Sequence, residues 1–198
     1  ASFMEGMSGM MEKRLLSLMI MALLLVGSLE LGYAAKTVVV KQDGSGPGGY
    51  TTIAAAVTAT EPGDTIEIQD SATYTENTPI ILHGVTLRGT GNSPQVIMTT
   101  AALGVGAIQM ENAAVENLTV KFNGGWGPGF RMWGSFHLNK IRIDAKDGGD
   151  TPAIRIDPKS GLVTQGAIES VTTCNFGAYN GVIQLGGGYN GAVTAADL

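Results

Sequence analysis

Cysteine is nearly absent. The chain has one, Cys174, among 198 residues, so neither an intramolecular disulfide nor a cysteine-based zinc site can form. Charge is also sparse: 15% of residues are charged and the formal net charge is -5. A nucleic-acid binder needs a basic face, and this balance argues against one. Aromatic residues make up only 6%. Leu, Ile, Val and Ala are plentiful, which supplies a core and argues against wholesale disorder. Glycine is abundant, at 29 residues. The length suggests one or two domains.

The N-terminus reads as an export signal. Glu12-Lys13-Arg14 precedes an apolar run from Leu15 to Val26, and Gly32-Tyr33-Ala34-Ala35 follows. A basic start, a short apolar stretch and small residues at the cut form a secretory signal. Cleavage is expected after Ala34, with Ala35 as the alternative, and Met11 as the natural start. Residues 1–34 are then upstream residues plus signal, and residues 35–198 form the exported domain. The other reading is an uncleaved anchor helix, but the run falls short of the roughly 20 residues a span needs.

Beyond the signal come short strand-like runs separated by Gly, Asn, Asp and Pro. Residues 51–59 form the one good helical stretch, with Thr51 or Thr52 as cap and Pro62-Gly63 as stop. An internal repeat is more informative. Ala107-Ile-Gln-Met110 recurs as Gly129-Phe-Arg-Met132, Ala153-Ile-Arg-Ile156 and Val182-Ile-Gln-Leu185, at offsets of roughly 22 to 29 residues. Val115-Glu-Asn-Leu-Thr-Val120 matches Leu138-Asn-Lys-Ile-Arg-Ile143 and, more loosely, Ile168-Glu-Ser-Val-Thr-Thr173. Each repeat thus holds two short alternating strands and a Gly-rich turn. Such a unit cannot bury its apolar face alone, but stacked units can. The expected fold is all-β, a parallel β-helix whose inward ladders include Ile108, Phe130, Ile154 and Ile183, and Met110, Met132, Ile156 and Leu185.

Residues 37–91 carry a resemblance. Val38-Val-Val-Lys-Gln-Asp-Gly-Ser-Gly46 is followed by Tyr50-Thr-Thr-Ile53, Ala54-Ala-Ala-Val57, Gly63-Asp-Thr-Ile-Glu-Ile68, Tyr74-Thr-Glu76 and Val85-Thr-Leu-Arg-Gly-Thr-Gly91. This order resembles the N-terminal part of pectin methylesterases and, more broadly, the pectin lyase-like right-handed parallel β-helix proteins. The resemblance implies a short helix, about residues 52 to 60, plugging the open end of the solenoid. It also implies an esterase or lyase acting on an acidic polysaccharide. The esterase motifs Gln-Asp-Thr-Leu and Asp-Phe-Ile-Phe-Gly do not occur here. No recognisable cap closes the C-terminal end, so the reading expects either that the chain continues or that a partner covers the end.

Several residues could carry chemistry. The outward column of the first repeated strand reads Gln109, Arg131, Arg155, Gln184, with Glu111, Trp133 and Asp157 two positions on. Arg131 and Arg155, one coil apart, could fork onto the carboxylates of an acidic polysaccharide such as pectin. Trp133 and Trp126 could stack on sugars. The alternative is a solvated face on which the arginines pair with Asp157 or Glu111. Asp144, Asp147 and Asp150 lie within one Gly-containing turn and could hold Ca²⁺ through oxygen ligands, as acidic residues do in the pectate lyases this chain resembles; a solvated turn is the alternative. Asp144 with Asp157 could form a glycosidase pair. His83 and His137 read as ordinary strand or turn residues, and Cys174 as an inert buried thiol. Asn92, Asn112, Asn117, Asn139 and Asn175 recur near turns, where their amides are expected to bond backbone.

Two function classes stay open. The first is the N-terminal part of an exported enzyme, an esterase or lyase acting on pectin or another acidic polysaccharide. The other is a non-catalytic β-helix that binds glycans or serves as a scaffold.

Overall fold

The computed structural model describes residues 33–91, 94–98, 106–122, 128–145, 152–159, 161–174 and 183–185. The chain divides into two units, Ala1–Ala34 and Ala35–Leu198, and the fold below is that of the second. Its elements in chain order are β1 (Thr37–Val40), helix α1 (Ile53–Thr58), β2 (Thr65–Ile68), β3 (Thr73–Glu76), β4 (Ile80–His83), β5 (Thr86–Gly89), β6 (Gln95–Met98), β7 (Ile108–Phe122), β8 (Phe130–Ala145), β9 (Ile154–Ile156), β10 (Gln165–Glu169), β11 (Thr172–Cys174) and β12 (Ile183–Leu185).

Every strand pairing is parallel, and the strands fall into three stacked faces. Face 1 runs from β1 through β2, β5 and the middles of β7 and β8 to β10. Face 2 runs from β3 through β6 and the last parts of β7 and β8 to β11. Face 3 runs from β4 through the first parts of β7 and β8 to β9 and β12. The protein is a parallel β-solenoid. Each coil spends one short strand on each face, so the repeat unit holds three strand segments rather than two. β7 and β8 hide this, because each continues through two corners without a break.

Alternation along the strands turns every second side chain inward. The inward positions stack into ladders: Ile66, Leu87, Val115 and Leu138 on face 1; Tyr74, Val96, Val120 and Ile143 on face 2; Ile80, Ile108, Phe130 and Ile154 on face 3. All are buried in one continuous core. Burying one such side chain stabilises by roughly 1.5–3 kcal/mol. At β12 the burial fades: Ile183 is half-buried and Leu185 is exposed.

The corners need a left-handed backbone. Gly63, Gly84, Asn112 and Gly134, with φ of 98°, 65°, 52° and 71°, follow one another where face 3 turns into face 1. Asn117, Lys140 and Ser170, with φ of 52°, 54° and 52°, do so where face 1 turns into face 2. Asn tolerates this conformation better than most residues. Its amide also ties coils together: Asn117 Nδ2 donates to the Gly89 carbonyl at 2.7 Å, and Asn112 Oδ1 accepts from the Ser135 N–H at 2.9 Å. Asn139 departs from expectation. It lies within face 1, in register with Glu116 and Glu169, and Lys140 takes the corner. Asn92 and Asn175 lie outside the described residues.

The N-terminal end is closed in two ways. Residues 46–50 cover the free edge of β1: Val39 N donates to the Pro47 carbonyl at 3.2 Å and Tyr50 N to the Val39 carbonyl at 3.1 Å. A covered edge cannot pair with another chain. Helix α1 packs against β1, β2, β3 and β4 and buries Ile53 and Ala56. Its first N–H groups are all satisfied. Thr52 Oγ1 accepts from Ala55 N, while the buried Glu76 carboxylate accepts from Ile53 N at 2.7 Å and Ala54 N at 3.3 Å. Burial pushes the Glu76 carboxyl above its ordinary value, and the two N–H bonds oppose that shift. The short helix expected at residues 52 to 60 is therefore present, as Ile53–Thr58.

Candidate functional site

The outward side of face 3 gathers most of the residues singled out in the sequence. Ile81, Gln109, Arg131, Arg155 and Gln184 are successive register partners. His83, Glu111 and Trp133 form the parallel row two positions on. Asp157 extends that row by one coil, since its N–H donates to the Met132 carbonyl at 2.9 Å.

Asp157 sits between the two arginines. Its Oδ2 accepts from Arg131 Nε at 2.6 Å and its Oδ1 from Arg155 Nε at 2.8 Å. The electrostatic reason is direct. Unit positive charges on adjacent strands about 4.8 Å apart repel by roughly 3 kcal/mol at an effective dielectric near 20. A carboxylate between them removes that repulsion. The Asp157 side chain is 12% exposed, against 31% and 34% for Arg131 and Arg155. The pairing foreseen as the alternative to a ligand site is thus in place. It engages only one of the three guanidinium nitrogens of Arg155, and the other two have no partner among the described residues.

Trp133 lies beside this bridge. Arg131 Cζ and Lys159 Nζ are each 5.6 Å from the centroid of its ring, the cation–π range. Its Nε1 is buried and has no hydrogen-bond partner in acceptable geometry among the described residues. It is still near enough to Glu111 to help hold that carboxyl below its ordinary value, behind the larger effect of the Lys159 ammonium. Glu111 Oε2 accepts from Lys159 Nζ at 2.7 Å and lies 3.3 Å from His83 Nδ1.

Lys159 reaches this face because of a local irregularity. Other crossings from face 3 to face 1 take one or two residues, such as Gly134 after Trp133. The crossing after β9 runs through residues 157–164. Its ends close on each other, since Thr164 Oγ1 donates to the Asp157 carbonyl at 3.5 Å and accepts from Gly134 N at 3.4 Å. Sequence reasoning missed Lys159 for this reason: it lies outside the repeated strand, where register with Glu111 cannot be counted.

The other candidates separate. Asp144 is on face 2, in register with Lys121 and Cys174, so it shares no face with Asp157. Asp147, Asp150 and Trp126 lie outside the described residues, as does the Cys174 side chain. Among the described residues no group of three His, Cys, Asp or Glu could hold a metal ion. On face 3 the Glu111 carboxyl is held below its ordinary value, whereas burial raises that of Glu76, which bonds the first turn of helix α1.

Fold and face define a parallel β-solenoid with a cation-rich, aromatic-bearing outer row. No protein family, curated protein or solved structure matches the chain.

Proposed function

We propose that the protein is an exported, non-catalytic β-solenoid that binds an acidic polysaccharide such as pectin on the outward side of face 3. The observation that carries this reading is the Arg155 guanidinium, fixed through Nε by Asp157 next to Arg131 and with its two terminal nitrogens unpaired among the described residues. A guanidinium fixed through Nε keeps a planar fork for an incoming carboxylate. Lys159 adds a third cation on the same face, and Trp133 an aromatic edge. The export half of the reading rests on the pattern at residues 12–35. N-terminal sequencing of the secreted chain tests it, with Ala35 expected as the first residue.

Binding to polygalacturonate tests the rest. Wild type is expected to prefer it over fully methyl-esterified pectin and to lose affinity with salt. Replacing Arg131 and Arg155 together with Ala should weaken binding at least tenfold while the chain stays folded. Equal binding by the double variant removes the proposal. A calcium chelator in a parallel titration separates direct arginine binding from Ca²⁺ bridging through Asp144, Asp147 and Asp150.

The order of motifs over residues 37–91 favours a second reading, part of a pectin-active esterase or lyase. Methanol or unsaturated product released from pectin would replace the first reading with this one. Sequencing the gene past codon 198 would reveal whether the esterase motifs are encoded.

A further inference from the structure

Face 1 carries an arrangement that the binding proposal does not use. His137 stands on β8 with Ala114 of β7 and Ala167 of β10 as register partners. Glu116, Asn139 and Glu169 form the adjacent row on the same three strands. The imidazole lies between the two carboxylates: Nδ1 is 3.8 Å from Glu116 Oε1 and Nε2 is 3.4 Å from Glu169 Oε2.

A neutral imidazole has one N–H donor and one lone pair, so one of the carboxylates would face a bare nitrogen. The imidazolium has two donors and a positive charge, which serves both. We propose that His137 is a proton-operated clasp across three successive coils. With the proton it binds Glu116 and Glu169 at once and holds β10 against β8. Without the proton it lets one carboxylate go.

Loss of the imidazolium charge weighs most on the carboxylate that has no other cation nearby. Arg88 of β5 is the register partner of Glu116 and is itself bonded to Glu67 of β2. Glu116 thus has a cation on its far side. Glu169 has no other cation partner among the described residues, so it depends on His137. Asn139 separates the glutamates along β8, and Lys140 follows at the corner. β10 is also the strand reached through the long crossing 157–164, and none of its residues is fully buried. The clasp therefore acts on a coil that packing holds weakly. The clasp needs the imidazolium and both ionised carboxylates together, so its hold belongs to mildly acid solution and is lost when the imidazole gives up its proton.

Hydrogen exchange tests this. Protection of residues 165–169 is measured relative to β5, corrected for intrinsic exchange, at about pH 5.5 and about pH 8. In wild type the ratio should fall about fivefold from the acid to the alkaline condition. In His137→Gln and in Glu169→Gln it should stay level. His83, the other histidine, is the control: His83→Gln should keep the wild-type fall. A level ratio in wild type overturns the clasp, and so does an equal fall in His137→Gln.

Discussion

Glu76 Oε1 lies 2.7 Å from the backbone nitrogen of Ile53, so an inward-facing carboxylate of β3 holds the first turn of the capping helix. The position belongs to the same inward row as Met98 and Phe122 on later coils. There an apolar side chain fills the lumen. At the first coil the helix end needs an acceptor instead.

Two variants separate the roles of Glu76. Glu76→Ala leaves two helix N–H groups without their acceptor and should cost about 2 kcal/mol of stability in a denaturant titration. Glu76→Gln addresses pH. The folded-state pKa is raised, so the folded chain binds this proton more tightly than the unfolded chain. Wild type should gain stability relative to Glu76→Gln as pH falls through the folded value, with the gain complete below the ordinary value of 4.5. Parallel pH curves for the two proteins would refute this.

Gly134 offers a sharper test of the corners. Its φ is +71°, and an added Cβ would clash with Asn112 Oδ1. Gly134→Ala should lose roughly 1–3 kcal/mol through backbone strain and the displaced Asn112–Ser135 bond. Asn112→Gly also loses that bond but keeps the left-handed turn, so it should cost less than Asn112→Ala. Thermal melts of the four proteins rank them.

Asp157→Asn should trade stability for affinity. The variant leaves Arg131 and Arg155 side by side without their shared carboxylate. Its melting temperature should drop, while polygalacturonate binding at low salt should tighten severalfold and become more salt-sensitive. Weaker binding would mean that fixing the two guanidiniums matters more to the ligand than the negative charge Asp157 brings.

Lys159→Met probes the cover over Trp133. The Glu111 carboxyl is held below its ordinary range first by the Lys159 ammonium. A depressed folded value places the favourable interaction above the ordinary value of 4.5 and removes it as pH falls through the folded value. In a Trp126→Phe background, Trp133 emission should shift in that acid window. Lys159→Met should move the midpoint upward toward 4.5. An unchanged midpoint would separate Lys159 from Glu111.

Much of the fold is legible in the residues, and the reasons for the exceptions are local. Ile108, Phe130, Ile154 and Ile183 align in the sequence repeat and stand in that register in the structure. Val115 and Leu138 do the same. The third face was hidden because the corners at Asn117 and Lys140 leave the alternation of Val115 through Val120 looking continuous. Lys140 and Ser170 bear no sign of a left-handed turn, since neither is Gly or Asn. In the candidate site, Arg131, Trp133, Arg155 and Asp157 share a face because strand period and coil period together fix their places. Lys159 and the clasp at His137 depend on side-chain reach across coils, which no periodicity encodes.

The closed N-terminal end has a consequence for how the chain assembles. Each coil takes its register from the one before it, and the coil that needs no predecessor is the one sealed by helix α1 and residues 46–50. Assembly can then run in one direction, like winding thread on a spool whose first turn is pinned. The pinned turn precedes the later coils in the sequence, so it is available as a template before they emerge. A slip at one coil would shift every turn laid after it, and the asparagine and glycine corners act as the notches that stop the slip.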